Sequence, residues 1–279
     1  MLNLLPNQMN KLFVCFTKTS SFKYFYRHAS SLFRISDIKN NKIFLNDKYG
    51  SFRYESLISM SYNLRDQIKQ EVNFQPGDRV SIMCANNYTF LVSMLGVWLA
   101  GGVPVPLSPN FTTNYLAHFF SNSNTKLVIR SYDHLDYVNS NKSKSRTIHL
   151  VDRLSIPLLK LNESDFFVRN PSASIGTTDR SFENLIDSIQ FNRHNNREAL
   201  IIYTSGSSGP AKGVQLTFSS FLSYMQTMLD CWKLEPSDCL LHVMPLNHVH
   251  GLIYGLLLPF FVGAQVEMIP KFEGIYKFN

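Results

Sequence analysis

An α/β fold, with parallel sheets flanked by helices, is predicted by three features of the chain. Its 279 residues are 44% hydrophobic and only 17% charged, a balance typical of globular domains with a substantial buried core. Strand and helix patterns alternate in its first half. A loop rich in glycine and serine then follows directly on a buried apolar strand.

The alternation of strands and helices rests on apolar spacing. Short apolar segments at Arg79–Cys84, Val103–Leu107 and Lys126–Arg130 are predicted strands. Apolar residues recur at helical spacing from about Asn87 to Ala100 and from about Asn114 to Phe120. Because strands that alternate with helices are joined by right-handed crossovers, these elements predict a parallel sheet.

The segment 162–196 separates this region from the glycine- and serine-rich loop. It is rich in Ser, Asn and Thr and shows little periodicity. We expect a long surface connection with one helical turn near Phe182–Ile189.

The formal charge of +7 is concentrated at the start of the chain. Residues 1–36 contain five Lys and Arg and no Asp or Glu, whereas the remainder has 22 basic and 20 acidic residues. No basic stripe continues into the domain, so nucleic-acid binding is disfavoured. A basic, acid-free leader with interspersed apolar and Ser residues predicts a mitochondrial transit peptide over 1–36 and a location in the matrix; the alternative is an irregular basic terminus.

The segment Cys239–Val266 contains no Asp, Glu, Lys or Arg. Histidines and two prolines interrupt it, and its purely apolar part is shorter than the ~20 residues that cross a bilayer. It is therefore predicted to be buried core and not a transmembrane span. The four cysteines have neither zinc-ligand spacing nor the density of a disulfide scaffold, so they are interpreted as buried thiols, and no metal site is assigned.

The loop after the strand Leu200–Tyr203 has the composition of a phosphate-binding loop. We expect its glycines to adopt positive φ and to bring successive N–H groups close to an anion. Its hydroxyl groups are further donors, and its lysine is a mobile cation suited to phosphate oxygens. The candidate phosphate-binding residues are Thr204, Ser205, Gly206, Ser207, Ser208, Gly209, Lys212 and Gly213.

This loop differs from the Walker loop, in which Gly-Lys is followed by Ser or Thr and leads into a helix. Here Ala211 precedes the lysine, and the next helix is predicted only after Thr217, a plausible N-cap. An extended piece at Val214–Leu216 then makes a hairpin-like flap. A flexible Gly/Ser linker is disfavoured because core elements flank the loop on both sides.

Residues Tyr203–Gly213 resemble the signature loop of AMP-forming acyl-CoA synthetases, luciferases and peptide-synthetase adenylation domains. The usual pattern is Thr-Ser-Gly-Thr-Thr-Gly, one residue, then Pro-Lys-Gly. This chain has Ser207 and Ser208 in place of the threonine pair, and its Pro210 stands one position early. The hydroxyl donors are therefore kept.

The resemblance extends over about Ile43–Phe272 and is greatest to malonyl-CoA synthetases, including the mitochondrial enzyme of animals. It implies the large N-terminal domain of the adenylate-forming fold. The motifs that carry it are Phe52–Leu57, Gly77–Val80, Gly101–Leu107, Met244–Gly251 and Leu256–Ala264.

The resemblance also implies a reaction in two halves. The carboxylate of a small acid attacks the α-phosphate of MgATP and releases pyrophosphate, and the thiol of CoA then displaces AMP. The implied cofactors are ATP and Mg²⁺, with CoA as a co-substrate. Lys212 is the implied catalytic cation for the departing pyrophosphate.

The Pro-Leu-Asn-His-Val-His-Gly motif implies a substrate pocket. His248 follows a predicted strand, Leu240–Met244, at the end where parallel sheets bind ligands. By resemblance it is a catalytic residue that meets the substrate acid, with His250 and Gly251 beside it. The alternative for each histidine is a satisfied histidine of the core.

Several family motifs are not found in this chain. The adenine-binding Tyr-Gly-x-Thr-Glu motif, the ribose-binding Asp, the hinge and the C-terminal lid domain with its lysine have no match. We therefore interpret 37–272 as a partial AMP-binding domain and 273–279 as a divergent tail, and expect the polypeptide alone to be inactive and poorly soluble.

Two other function classes stay open at the level of sequence. One is a non-catalytic relative that binds a nucleotide or a protein partner, and the other is an amino-acid-activating adenylation domain. Fold alone does not separate these classes.

Overall fold

The computed structural model describes residues 41–71, 73–132, 141–162, 181–204 and 209–269. In chain order, the elements are β1 (Ile43–Asp47), β2 (Gly50–Arg53), α1 (Tyr54–Gln70), β3 (Arg79–Met83), α2 (Tyr88–Ala100), β4 (Val103–Pro106), α3 (Thr113–Ser123), β5 (Thr125–Tyr132), α4 (Asn141–Arg153), β6 (Leu158–Asn162), α5 (Phe182–His194), β7 (Glu198–Thr204), β8 (Lys212–Thr217), α6 (Phe218–Trp232), β9 (Cys239–His242), a π-helix (His250–Leu257), α7 (Leu258–Val262) and β10 (Gln265–Met268). The predicted leader and divergent tail lie outside the described residues.

The first sheet is parallel throughout, with the strand order β4-β3-β5-β6. Val80 on the central strand pairs with Pro104 on one side and with Leu127 on the other. The parallel sheet predicted from the alternation of strands and helices is therefore confirmed. Strand β6, which pairs with β5 from Val128↔Leu158 onward, was not predicted.

The second sheet joins the two ends of the described chain, with the strand order β2-β1-β10-β9. Strand β1 is antiparallel to β2 and parallel to β10, and β10 is parallel to β9. Phe44 and Leu45 on β1 are completely buried. This pairing sets the place of β9, whose carboxyl end leads into the motif that contains His248.

Helix α2 is buried on nearly all sides and holds the sheets together. Asn87 caps its start by accepting a hydrogen bond from the N–H of Thr89, and Gly101 ends it with φ 86°. A left-handed residue at this position is typical of helix ends and favours glycine. The indole N–H of the buried Trp98 donates to the carbonyl of Ala199 at 2.6 Å, which ties the helix to β7.

The helical turn predicted near Phe182–Ile189 is part of a longer and partly buried helix. Residues from Phe182 to His194 form a helix of 13 residues capped by Ser181. Leu185, Ile186 and Ile189 are buried on its inner face. The spacing of these three residues is helical. The many Ser and Asn residues elsewhere in 162–196 made this apolar periodicity weak over the segment as a whole. Residues 163–180 lie outside the described part.

The charge-free segment is mostly buried core, as predicted. The π-helix and α7 bury nearly all of their residues, whereas Leu241 on the outer strand β9 is 44% exposed. Among the described helices, none has both the length and the apolar character needed to cross a bilayer.

The cysteines in the described ranges match the expectation of buried thiols only in part. Cys84 is a buried thiol, as expected, whereas Cys239 is an exposed thiol. Within the same ranges, no group of three or more His, Cys, Asp or Glu side chains is placed to hold a metal ion.

The Trp98 hydrogen bond predicts a difference between the two tryptophans. Trp98→Phe takes the indole donor away from a buried carbonyl, so we expect a loss of about 2 kcal/mol in the free energy of unfolding. Trp232 is 44% exposed, and Trp232→Phe should change it by less than about 0.5 kcal/mol. Urea titration followed by circular dichroism measures both, and equal losses would contradict the assigned role of Trp98.

Candidate active site

Strands β7 and β8 form an antiparallel hairpin whose tip is the predicted phosphate loop. Tyr203 pairs with Gly213, and Thr204 pairs with Lys212. The predicted hairpin-like flap is therefore confirmed. Residues Ser205, Gly206, Ser207 and Ser208 lie outside the described part of the chain.

Helix α3 holds both ends of this loop. The hydroxyl of Tyr203 donates to the carbonyl of Phe119 at 3.2 Å and to Oδ1 of Asn122 at 2.8 Å. Where the chain returns, Nε2 of His118 lies 2.9 Å from the carbonyl oxygen of Ala211. Sequence analysis missed His118 and Asn122, because nothing along the chain indicates that α3 packs against a loop so far away in sequence.

The tyrosine anchor is held in its protonated form. Burial raises the pKa of Tyr203, and a hydrogen bond with Ser123 opposes this effect. Its ring centroid lies 4.4 Å from that of Phe119, so packing and hydrogen bonding fix the same side chain. The strand that leads into the loop therefore ends at a well-defined position.

Thr204 and Lys212 lie opposite each other at the mouth of the loop, and both are exposed. The hydroxyl of Thr204 is 3.4 Å from the carbonyl oxygen of Lys212. None of the ion pairs among the described residues uses Lys212. A hydroxyl group and an ammonium group thus lie exposed on either side of the hairpin tip.

The expectation of positive φ is wrong for Gly213. Gly213 lies in the extended strand β8, and it is required for a different reason. A Cβ at this position would lie 3.1 Å from Cγ2 of Ile201 and 3.4 Å from Oδ1 of Asn122. The absence of a side chain therefore allows β8 to pack closely on β7 and α3.

Helix α6 begins at the far end of the hairpin from the loop. Its N-cap is Thr217, as predicted, and Thr217 and Ser220 form a reciprocal capping box. All of β8 separates this helix N-terminus from the loop. The site thus differs from a Walker loop, in which the helix N-terminus itself faces the phosphates.

Two contacts connect β3 with the neighbouring elements of the site. An ion pair of 2.9 Å between Arg79 and Glu198 joins the amino ends of the two strands. Nδ2 of Asn86, just after β3, donates to the carbonyl of Met244 at 2.9 Å. The residues after β9 therefore lie close to the carboxyl end of β3.

We call residues 243–250 the histidine segment; it connects β9 to the π-helix. His248 and His250 are both exposed, so neither is a core histidine. Nε2 of His248 lies 3.4 Å from Nδ2 of Asn247, and the ring of His250 lies 5.3 Å from the ring of Tyr254. No hydrogen bond of the described residues joins either histidine to the phosphate loop.

The histidine that is buried is His242, the last residue of β9, with 2% of its surface exposed. Its Nε2 lies 2.8 Å from the carbonyl oxygen of Gly251, and its Nδ1 has no partner among the described residues beyond the backbone of His242 itself. Burial lowers the pKa of His242 below its usual value, and the hydrogen bond to Gly251 opposes this effect. Sequence analysis treated this residue only as an interruption of the apolar segment.

A family model described as AMP-binding enzyme matches residues 34–277. The chain belongs to the AMP-binding enzyme family. Malonate–CoA ligase ACSF3, mitochondrial, of Mus musculus is 32% identical over 237 residues, which are 84% of this chain and 37% of the relative. A malonate–CoA ligase of Arabidopsis thaliana is 32% identical over 72% of this chain and 31% of its own length.

Solved structures agree with this fold. The ATP-bound MatB of Rhodopseudomonas palustris superposes with a TM-score of 0.66 at 23% identity, over 88% of this chain and 46% of that chain. The chain therefore has the architecture of adenylate-forming enzymes, as predicted. It spans less than half the length of these relatives.

The close approach at Gly213 predicts a local cost of adding a methyl group. Gly213→Ala should lower the free energy of unfolding by about 1–3 kcal/mol, because β8 must move away from β7 and α3. Gly209→Ala is the matched control, since a Cβ there meets no atom of the described residues within 4 Å. Urea unfolding compares the two, and an unchanged midpoint for Gly213→Ala would contradict the packing argument.

The buried His242 predicts a pH dependence of stability. The unfolded chain takes up a proton at this residue near pH 6.5, whereas the pKa of the folded chain is lower. Its contribution is therefore fully present above pH 6.5 and is lost as the pH falls through the folded-state pKa. Between about pH 7.5 and about pH 5.5, the wild-type urea midpoint should fall more than that of His242→Gln, which lacks this titration. Parallel falls would show that the folded-state pKa is not lowered.

Proposed function

We propose that this chain contributes the ATP-phosphate-binding part of an AMP-forming acyl-CoA synthetase that activates a small carboxylic acid. The observation that carries the proposal is the hairpin loop with Thr204 and Lys212 exposed at its mouth. Membership of the AMP-binding enzyme family supports it. The chain resembles acid–thiol ligases of this family in both motif and fold.

The residues of the loop fit a polyphosphate. The ammonium group of Lys212 would offset the charge that develops on the departing pyrophosphate, and Thr204 would donate a hydrogen bond from its hydroxyl. Hydroxyl and backbone donors of Ser205, Ser207 and Ser208 complete the predicted set. Mg²⁺ is implied by resemblance, and we assign it no protein ligand.

The histidine segment is the proposed contact for the acid. His248 and His250 are both exposed, so a carboxylate could reach either imidazole. Gly251 follows in the first turn of the π-helix. The second half of the reaction, in which CoA displaces AMP, would involve the remainder of a family member and is assigned no residue of this chain.

Malonate is the acid that we propose first, because the relatives from Mus musculus and Arabidopsis thaliana are both malonate–CoA ligases. A mitochondrial location is proposed on two grounds. The first 36 residues are basic and free of acidic residues, and the mouse relative is a mitochondrial protein.

The test of the phosphate site is the binding of ATP to the expressed chain. We expect MgATP to raise the thermal midpoint, because a ligand that binds only the folded state stabilises it. Lys212→Ala should weaken ATP binding by about 10- to 100-fold, the equivalent of one lost charge-assisted hydrogen bond. Lys69→Ala is the matched control, since Lys69 is exposed in the last turn of α1, outside the loop.

The activity itself is tested by pyrophosphate release in the presence of malonate. Release that depends on malonate and on Lys212 would support an acyl-CoA synthetase. Stabilisation by ATP without pyrophosphate release would instead favour a nucleotide-binding relative. Equal ATP affinity in Lys212→Ala and the wild type would remove the role assigned to this lysine.

A further inference from the structure

The junction between β9 and the π-helix contains an unusual set of close contacts. His242 ends β9 and is buried, and its Nε2 lies 2.8 Å from the carbonyl oxygen of Gly251 across the histidine segment. A neutral imidazole donates from one ring nitrogen and accepts at the other. A carbonyl cannot donate, so the contact assigns the proton to Nε2 and leaves Nδ1 as an acceptor.

Two glycines of the π-helix allow this arrangement. A Cβ on Gly255 would lie 2.5 Å from Cδ2 and 2.8 Å from Nε2 of His242, so the imidazole occupies the space where a side chain would be. A Cβ on Gly251 would lie 2.3 Å from the carbonyl oxygen of Pro245. The histidine segment and the imidazole thus both lie directly against the backbone of the same helix.

A purely structural role explains this junction poorly. Nδ1 of His242 is buried and has no partner among the described residues beyond the backbone of His242 itself. An unsatisfied buried acceptor destabilises a protein, so an apolar side chain of similar shape would fill the site at lower cost. Unlike an apolar side chain, the histidine can donate a directional hydrogen bond to the Gly251 carbonyl of the π-helix.

That carbonyl lies in the turn that presents the candidate substrate contacts. His248 precedes Gly251 by three residues, and its carbonyl accepts a hydrogen bond from the N–H of Leu252 at 2.9 Å. His250 begins the π-helix, and its ring lies against Tyr254. π-Helical turns occur frequently at functional sites. A shift of this turn would therefore move both exposed histidines.

We propose that His242 is a positioning residue, which fixes the first turn of the π-helix, and with it His248 and His250, through its hydrogen bond to the Gly251 carbonyl. This inference rests on the proposed function of the two exposed histidines as substrate contacts. His242 itself is buried beneath the segment and is assigned no contact with substrate.

The test compares three variants of the chain labelled with ¹⁵N. His242→Leu fills the space without a donor, His242→Gln restores an N–H donor, and His194→Gln replaces an exposed histidine on α5 as a control. Long-range ¹H–¹⁵N spectra report the imidazoles of His248 and His250. We expect both sets of resonances to shift in His242→Leu, to return toward wild type in His242→Gln, and to stay unchanged in the control.

A lower thermal midpoint in His242→Leu with unmoved His248 and His250 resonances would overturn the proposal, because His242 would then be a core histidine only. If His242→Leu does not fold, the wild-type spectrum decides, since the proposal requires a proton on Nε2 of His242 that is protected from exchange. Gly255→Ala, which displaces the imidazole, should reproduce the shifts.

The same samples separate this inference from the function on which it rests. Stabilisation by ATP depends on the hairpin loop and should be similar in the wild type and all His242 variants. Absence of ATP stabilisation in the wild type would count against the proposed function, while the imidazole spectra would still decide whether His242 positions the histidine segment.

Discussion

The attachment of strand β7 to the buried helix α2 is the interaction on which the arrangement of the candidate site depends. The indole of Trp98 donates to the carbonyl of Ala199 in the core, and the ion pair between Arg79 and Glu198 joins the amino ends of β7 and β3. At the carboxyl end of β7, the hydroxyl of Tyr203 is hydrogen-bonded to α3. Because β7 is fixed along its length, the loop that follows begins from a rigid strand.

The second sheet imposes a similar constraint on the histidine segment. Strand β9 reaches its place through β10, which pairs with β1 near the start of the described chain. The hydrogen bond from Asn86 to the Met244 carbonyl then connects this sheet to the end of β3. The carboxyl ends of β9 and β3 are thereby held near each other, and strand ends of this kind are where open α/β folds bind ligands.

The glycines show how one residue type serves different physical needs in this chain. Gly101 adopts a left-handed conformation that ends a helix. At Gly255 the imidazole of His242 instead occupies the place of a Cβ, and at Gly213 a Cβ would be in tight contact with Ile201. A glycine in a sequence motif therefore indicates a steric constraint without revealing which one applies, and only the packed structure distinguishes the two.

The sequence by itself determined the family, the parallel sheet and the hairpin, because these depend on local apolar spacing and on a contiguous motif around Lys212. It did not reveal that α5 packs into the core, since polar residues diluted a short helical pattern. The roles of His118, Asn122 and His242 were decided only by the tertiary structure. Each of these side chains contacts a residue in a different structural element. The periodicity of apolar residues predicts helices and strands, but it does not predict contacts between them.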